Sequence, residues 1–480
     1  MPPTQSSSRR PPILLCHSYY LRYDKKQLRK MKPYPPLATL LAAGVLRERG
    51  HEVSFFDAML ARGTDAFEKH LARIRPDLVV LIEDNFNFLT KMCTVRMREA
   101  ALRMIRAACA QGASVAVNGS DAIDQERLYL EAGAGAIIVG EVEPTLTDLV
   151  DAWQRGGDLD QVAGLALPSR NGGVPVRTAS RPYLDRLDQL PLPAWDLVDV
   201  ERYRSEWRAV HGRFSWNIVT SRGCPYRCNW CAKPIWGTRY AQRSPEAVAD
   251  EMARLKMTVR PDHIWFADDI FGLTPDWIER FGAAVSRRAA RTPFMMQSRV
   301  NLMKPRVVDA LAAAGAEEVW LGVESGSQRV LDSMDKGTTV EQARIATRNL
   351  RARGIRTCWF IQLGYPGEEW EDVIATRDLV RDEMPDDIGV SVSYPLPGTV
   401  FHARVQTQLG AKRNWGDSDD LAMMFQGTYV TEFYRQIRST LHDEVRLERP
   451  QSADVRDRFD ERWDQLAQQE AEFRSEAPIA

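Results

Sequence analysis

Net charge is what this 480-residue chain most clearly lacks: 64 Lys and Arg stand against 65 Asp and Glu. No global field exists to gather a nucleic acid or an anionic membrane, so a small-molecule or lipid substrate is the expected partner and no nucleic acid is expected. No apolar run is long enough to make a transmembrane segment, and the opening stretch MPPTQSSSRRPP has no apolar core of the signal-peptide kind. A cytoplasmic location is the expectation. Cysteine is scarce, and seven residues scattered through a long chain are no disulfide framework. Three of them crowd into SRGCPYRCNWCAKP, which suits a metal site better. With 44% hydrophobic and 27% charged residues, the chain has the composition of two or three packed domains.

From Ile13 to about Arg155, five apolar runs (ILLCHS, EVSFFDA, DLVVLIE, SVAVNG and AIIVG) are each followed by a helical pattern. That alternation predicts an α/β fold with a parallel, doubly wound, Rossmann-like sheet, which binds ligands outside the carboxyl ends of its strands. Asn118, Gly119 and Ser120 follow the fourth run, and Gly140 and Glu141 the fifth. His17, Tyr19 and Tyr20 follow the first run and Asp84, Asn85 and Asn87 the third, either facing the same crevice or serving as turn and cap residues. Residues 156–214, with two Gly-Gly pairs and RPYLDRLDQLPLPAW, read as a linker with little regular structure after a domain at 1–155.

A second series follows: NIVTS, HIWFAD, FMMQSRV, EEVWLGVES, TCWFIQLG and DIGVSVSYP, with helical patterns between. Six βα units cannot close an eight-stranded barrel, so a partial (β/α)6 barrel over 215–400 is predicted, with its chemistry at the carboxyl ends of the strands. The charged region at 401–480 reads as helical with a solvated face and carries no assigned chemistry.

The loop after the first barrel strand holds Cys224, Cys228 and Cys231 in a C-x3-C-x2-C spacing. Three thiolates on a four-iron cluster leave one iron open to substrate, whereas a structural zinc wants a fourth ligand, and no further Cys or His lies nearby in sequence. Cys16, Cys93, Cys109 and Cys358 sit in apolar segments as inert core residues. Two adjacent acids, Asp268 and Asp269, end the second strand; Ser298 and Arg299 end the third, where Arg299 could fork onto a carboxylate.

These motifs, in this order, resemble the radical S-adenosylmethionine (SAM) superfamily over about 215–400. The resemblance implies a catalytic 4Fe-4S cluster on Cys224, Cys228 and Cys231, whose open iron binds the amine and carboxylate of S-adenosylmethionine. It also implies reductive cleavage of that cofactor with an electron from an external donor such as flavodoxin or ferredoxin. Trp230 matches an aromatic position near the adenine. Asp268 or Asp269 would take the methionyl amine, unless they cap the next helix. Glu324 or Ser325, in GVESGSQ, would reach the ribose or methionyl end, and Gly364 and Pro366, in LGYPGE, would line the adenine.

PYPPLATLLAAGVLRERGHEVSFFDA, RPDLVVLIE, NGSDA and GAGAIIVGEVEPTLTDLVDAW resemble in turn the cobalamin-binding domain of one radical SAM subclass, that of class B methyltransferases and anaerobic magnesium-protoporphyrin cyclases. Asn118, Gly119, Ser120, Gly140 and Glu141 would then lie near the corrin. The Asp-x-His-x-x-Gly segment that supplies a lower cobalt ligand is absent, and His51 is in the wrong context. The implied activity is methylation of an unactivated carbon of a biosynthetic intermediate through methylcobalamin. A radical cyclase or rearrangement enzyme of tetrapyrrole, hopanoid or other lipid pathways would use the same residues. A methylthiotransferase fits poorly, since the N-terminal half offers only scattered cysteines for a second cluster and there is no basic RNA-binding tail. A non-enzymatic cofactor sensor would leave the ordered strand-end residues without a use. Trp236, Tyr240, Tyr394, Pro395 and Phe401 form either an apolar substrate pocket or ordinary core.

Overall fold

Aliphatic and aromatic runs bounded by polar turns build the first sheet. In the computed structural model, which describes residues 13–86, 94–233, 235–410, 423–447 and 453–475, they form β1 (Ile13–Cys16), β2 (Val53–Phe56), β3 (Leu78–Ile82), β4 (Ser114–Asn118) and β5 (Ala136–Ile138). All five pair in parallel, in the order β2-β1-β3-β4-β5. β1 and β3 are buried along their whole length, as strands covered on both faces must be. The strand order reverses between β1 and β3, and in such sheets the crevice opens beyond the carboxyl ends at that point.

Residues 156–214 are more regular than a linker. β6 (Leu165–Leu167) and β7 (Val176–Arg177) extend the same sheet antiparallel beyond β5. A helix then runs from Val200 to His211, with the Asp199 side chain capping its start and Gly212 left-handed at its end. Its Tyr203 donates to Asp57 Oδ2 at 2.7 Å, and its Trp207 Nε1 donates to Pro33 O at 2.6 Å. The helix is therefore held by the sheet's own loops. Strands this short show no period, and the Gly and Pro clusters around them read as loop. The chain divides into two units, residues 1–214 with 234–236 and residues 215–233 with 237–480.

In the second unit, β8 (Ser215–Ile218) leads into a two-residue ribbon, β9 (Ser221–Arg222) with β10 (Ala241–Gln242). β11 (His263–Phe266), β12 (Phe294–Arg299), β13 (Ala316–Glu324), β14 (Arg356–Leu363) and β15 (Asp387–Val392) complete the main sheet. Its six strands lie side by side in chain order, all parallel and not closed, as a partial barrel requires. Phe266, Phe271, Phe281 and Phe294 pack together under it, with Phe266 and Phe294 edge to face at 5.0 Å.

The charged C-terminal region is built into this unit as well as solvated. Helices Thr431–Leu447 and Ala453–Phe473 bury Phe433, Ile437, Leu441 and Trp463. Arg381, on the helix between β14 and β15, donates to Glu444 and to Asp460, the latter at 2.7 Å. Trp463 Nε1 donates to the other Glu444 oxygen at 2.9 Å. Among the described residues, no helix is long and apolar enough to cross a membrane.

Candidate active site at the strand ends of the partial barrel

The β9–β10 ribbon closes the neck of the cysteine loop. Behind it, the buried Asp268 carboxylate at the end of β11 accepts from Thr220 N at 3.0 Å, Thr220 Oγ1 at 2.9 Å and Ser221 Oγ at 2.5 Å. These bonds fix the chain where it enters the loop. Burial, only partly opposed by those donors, pushes the Asp268 carboxyl up to about 7. Asp268 is thus engaged with its own framework, while Asp269 is exposed and close enough for its charge to act on Cys224 and Cys231.

Cys224, Cys228 and Cys231 are free and half-buried. Burial is the largest influence raising both Cys224 and Cys231, the latter to about 12, and the Lys233 ammonium pulls both down. As bare thiols they hold their protons, which a bound metal displaces. Among the described residues, no three His, Cys, Asp or Glu side chains converge as donors to a single metal ion. Three free thiols grouped on one loop suit a cluster, in which each thiolate holds a different iron. The donor set therefore fits a 4Fe-4S cluster with one iron left without a protein ligand.

The loop is anchored by the turn that ends the helix Gln328–Ser333. Asn229, buried between two of the cysteines, donates its backbone N–H to Met334 O at 3.1 Å, and its side-chain amide donates to Ser333 O at 2.8 Å and Asp335 Oδ2 at 3.0 Å. The Tyr365 hydroxyl lies 2.7 Å from Asn229 Oδ1. Arg299, at the end of β12, is buried with Cζ 3.7 Å over the Tyr226 ring, and its Nη1 is 3.6 Å from Cys228 Sγ.

Glu324 ends β13 in a left-handed conformation (φ 68°) just past a break in strand register, a strained geometry that a side chain other than Gly rarely adopts. Its carboxylate accepts from Lys336 Nζ at 2.7 Å, and both groups are buried. Lys336 also stands 5.9 Å from the centre of the Trp230 ring, a loose cation–π distance. Lys336 is the residue that sequence reasoning missed. A lysine in DKGT reads as an exposed turn residue, and only the acid twelve positions earlier, on the strand end, could have hinted at its partner.

The remaining barrel residues divide. Ser298 Oγ and Trp230 Nε1 are buried atoms without a hydrogen-bond partner, as polar groups awaiting a ligand would be. Ser325 is turned into the framework, 3.2 Å from Thr376 Oγ1 and accepting from Ser327 N at 3.1 Å. Gly364 (φ 72°) donates its N–H to Glu368 Oε2 at 2.5 Å, and a side chain there would meet Met423 and Tyr434; Pro366 is half-buried beside it. Phe401 is core, packed on Tyr365 and Phe425; Tyr394 and Pro395 are buried and Tyr240 half-buried. Cys16 and Cys358 are buried and Cys109 is half-buried, while Cys93 lies outside the described residues.

In the first unit, Asn118 donates to Ile138 O at 3.0 Å and Gly140 O at 3.1 Å and accepts from Asn85 at 3.0 Å. It ties three strand ends together. Glu141 accepts from Leu184 N at 2.5 Å. Gly119 is needed for closeness, since a Cβ there would sit 2.9 Å from Glu83 Cγ. Gly140 (φ 82°) has open space beside it, and Ser120 is half-exposed. Ser18 donates to Glu83 Oε1 from both N (3.1 Å) and Oγ (2.5 Å), leaving the buried Oε2 without a partner. His17 Nε2 accepts from Ala58 N at 3.0 Å, so that nitrogen is not free for a metal. Trp236 belongs to this unit and stacks on Phe86 at 4.8 Å. Tyr19 donates to Asp24 and Tyr20 to Met104, while Asn87 lies outside the described residues. Among the described residues these strand ends present amides, hydroxyls and acids, a set that would suit a corrin held through backbone and polar contacts.

A loop of three thiols at the strand ends of a partial barrel defines a class, and residues 218–380 match the family model described as the Radical SAM superfamily. The second unit carries a radical SAM domain. Among curated relatives, the chain is 29% identical over 282 residues to an uncharacterized methyltransferase of Pyrococcus horikoshii (58% of this chain, 60% of the relative). It is 26% identical over 393 residues to a hopanoid C-3 methylase of Methylococcus capsulatus (81% and 71%). It is likewise 26% identical over 378 residues to an anaerobic magnesium-protoporphyrin IX monomethyl ester cyclase of Rubrivivax gelatinosus (76% and 65%). Two of these three matches span less than two thirds of the relative's length. Of solved structures, the radical SAM methyltransferase TsrM of Kitasatospora setae, with cobalamin and a [4Fe-4S] cluster bound, superposes with TM-score 0.68 at 22% identity (84% of this chain, 76% of that one). The cobalamin-dependent radical enzyme OxsB superposes with TM-score 0.70 at 19% identity over 96% of this chain and 71% of that one. At those identities the likeness is one of fold.

Proposed function

We propose that this protein is a radical SAM enzyme that methylates an unactivated carbon of a small-molecule or lipid biosynthetic intermediate. The observation that carries the reading is the set of three free thiols on one loop, with the charge of Asp269 acting on two of them, Arg299 in contact with the third and the buried Glu324–Lys336 pair beside the loop's Trp230. Cys224, Cys228 and Cys231 would hold the cluster. When bound, the cluster with S-adenosylmethionine would supply a 5'-deoxyadenosyl radical, and cobalamin in the first unit a methyl group.

The chain's own residues bind and orient. Asp269 is the acid left exposed for an ammonium, because Asp268 is occupied by Thr220 and Ser221. Trp230 offers a ring face and a free N–H to a base, and Ser298 a free hydroxyl. Glu324 and Lys336 occupy each other as a buried ion pair that fixes the turn carrying Lys336 near Trp230. Asn118 and Glu141 hold the corrin crevice in shape, while Gly119, Ser120 and Gly140 border it. The electron would come from a flavodoxin- or ferredoxin-class donor.

A second reading rests on the similarity to the Rubrivivax cyclase: a cyclase or rearrangement enzyme without methyl transfer. The test is mass spectrometry of anaerobically reconstituted, reduced protein given S-adenosylmethionine and methylcobalamin. Bound corrin with both 5'-deoxyadenosine and S-adenosylhomocysteine supports methyl transfer. Deoxyadenosine alone favours the second reading, and neither product sinks both.

A further inference from the structure

Arg299 was expected to fork onto a carboxylate, yet its guanidinium is already clamped. Nη2 donates to Lys336 O and lies 3.5 Å from Gly337 O, Nε donates to Asn301 Oδ1 at 3.2 Å, and the plane stacks 3.7 Å over the Tyr226 ring. What remains is Nη1, 3.6 Å from Cys228 Sγ. Tyr226 lies between the first two cysteines, so the ring that holds the guanidinium belongs to the loop whose sulfur the guanidinium meets. The side chain is only 6% exposed, so little water screens the charge.

We infer that Arg299 is a positioning residue that sets the reduction potential of the cluster through a charge-assisted N–H···S contact to Cys228, an inference that rests on the cluster assignment above. Reduction moves one electron from a low-potential one-electron donor, which is oxidised, onto the cluster, which gains one negative charge. A fixed cation with a hydrogen bond to a ligand sulfur favours the more negative state and raises the potential. Arg299 then makes the cluster easier to reduce. Its clamps matter because a guanidinium free to swing would lose both the distance and the angle.

The experiment is a dithionite titration with mediators, following the reduced cluster by electron paramagnetic resonance in the anaerobically reconstituted full chain. R299Q should lower the midpoint by at least 59 mV, a tenfold change for one electron. R299K, which keeps the charge and loses the fork, should fall between R299Q and wild type. An assembled R299Q cluster with an unchanged midpoint overturns the inference, as does an R299K midpoint as low as that of R299Q. Should R299Q fail to assemble a cluster, the wild-type chain labelled with 15N-arginine decides. Hyperfine coupling of an arginine nitrogen to the reduced cluster, absent in R299K, is expected, and no coupling overturns the inference. A wild-type chain that forms no cluster at all defeats the functional reading itself.

Discussion

The two units solve the same problem differently. Each ends a parallel sheet in a row of buried polar groups, but around the cysteine loop the buried charges have close partners: Glu324 and Lys336 each other at 2.7 Å, Arg299 the Cys228 sulfur at 3.6 Å. At the strand ends of the first unit the buried acids draw on neutral donors instead, Glu83 on Ser18 and Asp84 on Ala38 N. Burial then pushes both acids up to about 6, opposed chiefly by those hydrogen bonds from Ser18 and Ala38. Matched pairs suit a small, charged ligand fixed in one pose. A crevice of amides, hydroxyls and near-neutral acids suits a large ligand gripped by many weak contacts.

The comparison breaks first at the cysteines. Replacing Cys228 by Ala should abolish the visible absorbance of the reconstituted cluster and reduce S-adenosylmethionine cleavage to background, while corrin retention by the first unit should persist. Loss of both together would mean that the two sites do not stand on separate frameworks. Next in size is the buried pair. Lys336→Met leaves Glu324 buried without its cation and should cost about 3–5 kcal/mol in denaturant unfolding at neutral pH. The double variant with Glu324→Gln should recover much of that loss, and if it does not, the pair is not what holds the turn. Smaller again is Gly322→Ala, whose Cβ would sit 2.8 Å from both Glu324 Oε1 and Lys336 Nζ. A cost of about 1–3 kcal/mol is expected, the range for overpacking, because flexible side-chain ends can give way.

Much of the fold was legible because both sheets obey one simple rule: a buried parallel strand is a near-continuous apolar run, and LVVLI, HIWF and TCWFI stand out as such. β6 and β7 escaped because three and two residues carry no period. The cysteine loop was legible from spacing. The division of labour inside the site was not, because residue type tells what a group can do and not what already occupies it. Asp268 and Asp269 are adjacent and chemically alike, yet one is saturated by Thr220 and Ser221 and the other is exposed. Arg299 and Lys336 invert in the same way: the expected carboxylate fork is clamped to the loop, and an unremarked turn lysine is buried against an acid. Such assignments depend on contacts between residues far apart in the chain, which a local pattern does not encode.

The smallest effect tests the first unit's side of the comparison. Glu83 titrates at about 6 in the folded protein against an ordinary 4.5, so it is raised. Between those values the folded chain keeps a proton that the unfolded chain has released, and stability therefore falls as pH rises through that window. A shift of this size corresponds to about 2 kcal/mol. Glu83→Gln cannot ionise, yet its carbonyl can still accept from Ser18. Its unfolding free energy, measured from pH 4 to 7, should lose that part of the downward slope, while Asp84, with the same direction of shift, maintains the rest. An unchanged slope in Glu83→Gln would mean that Glu83 is ionised in the fold with a partner of its own. The first unit would then hold its charges as the barrel does, and the contrast between the two crevices would fail.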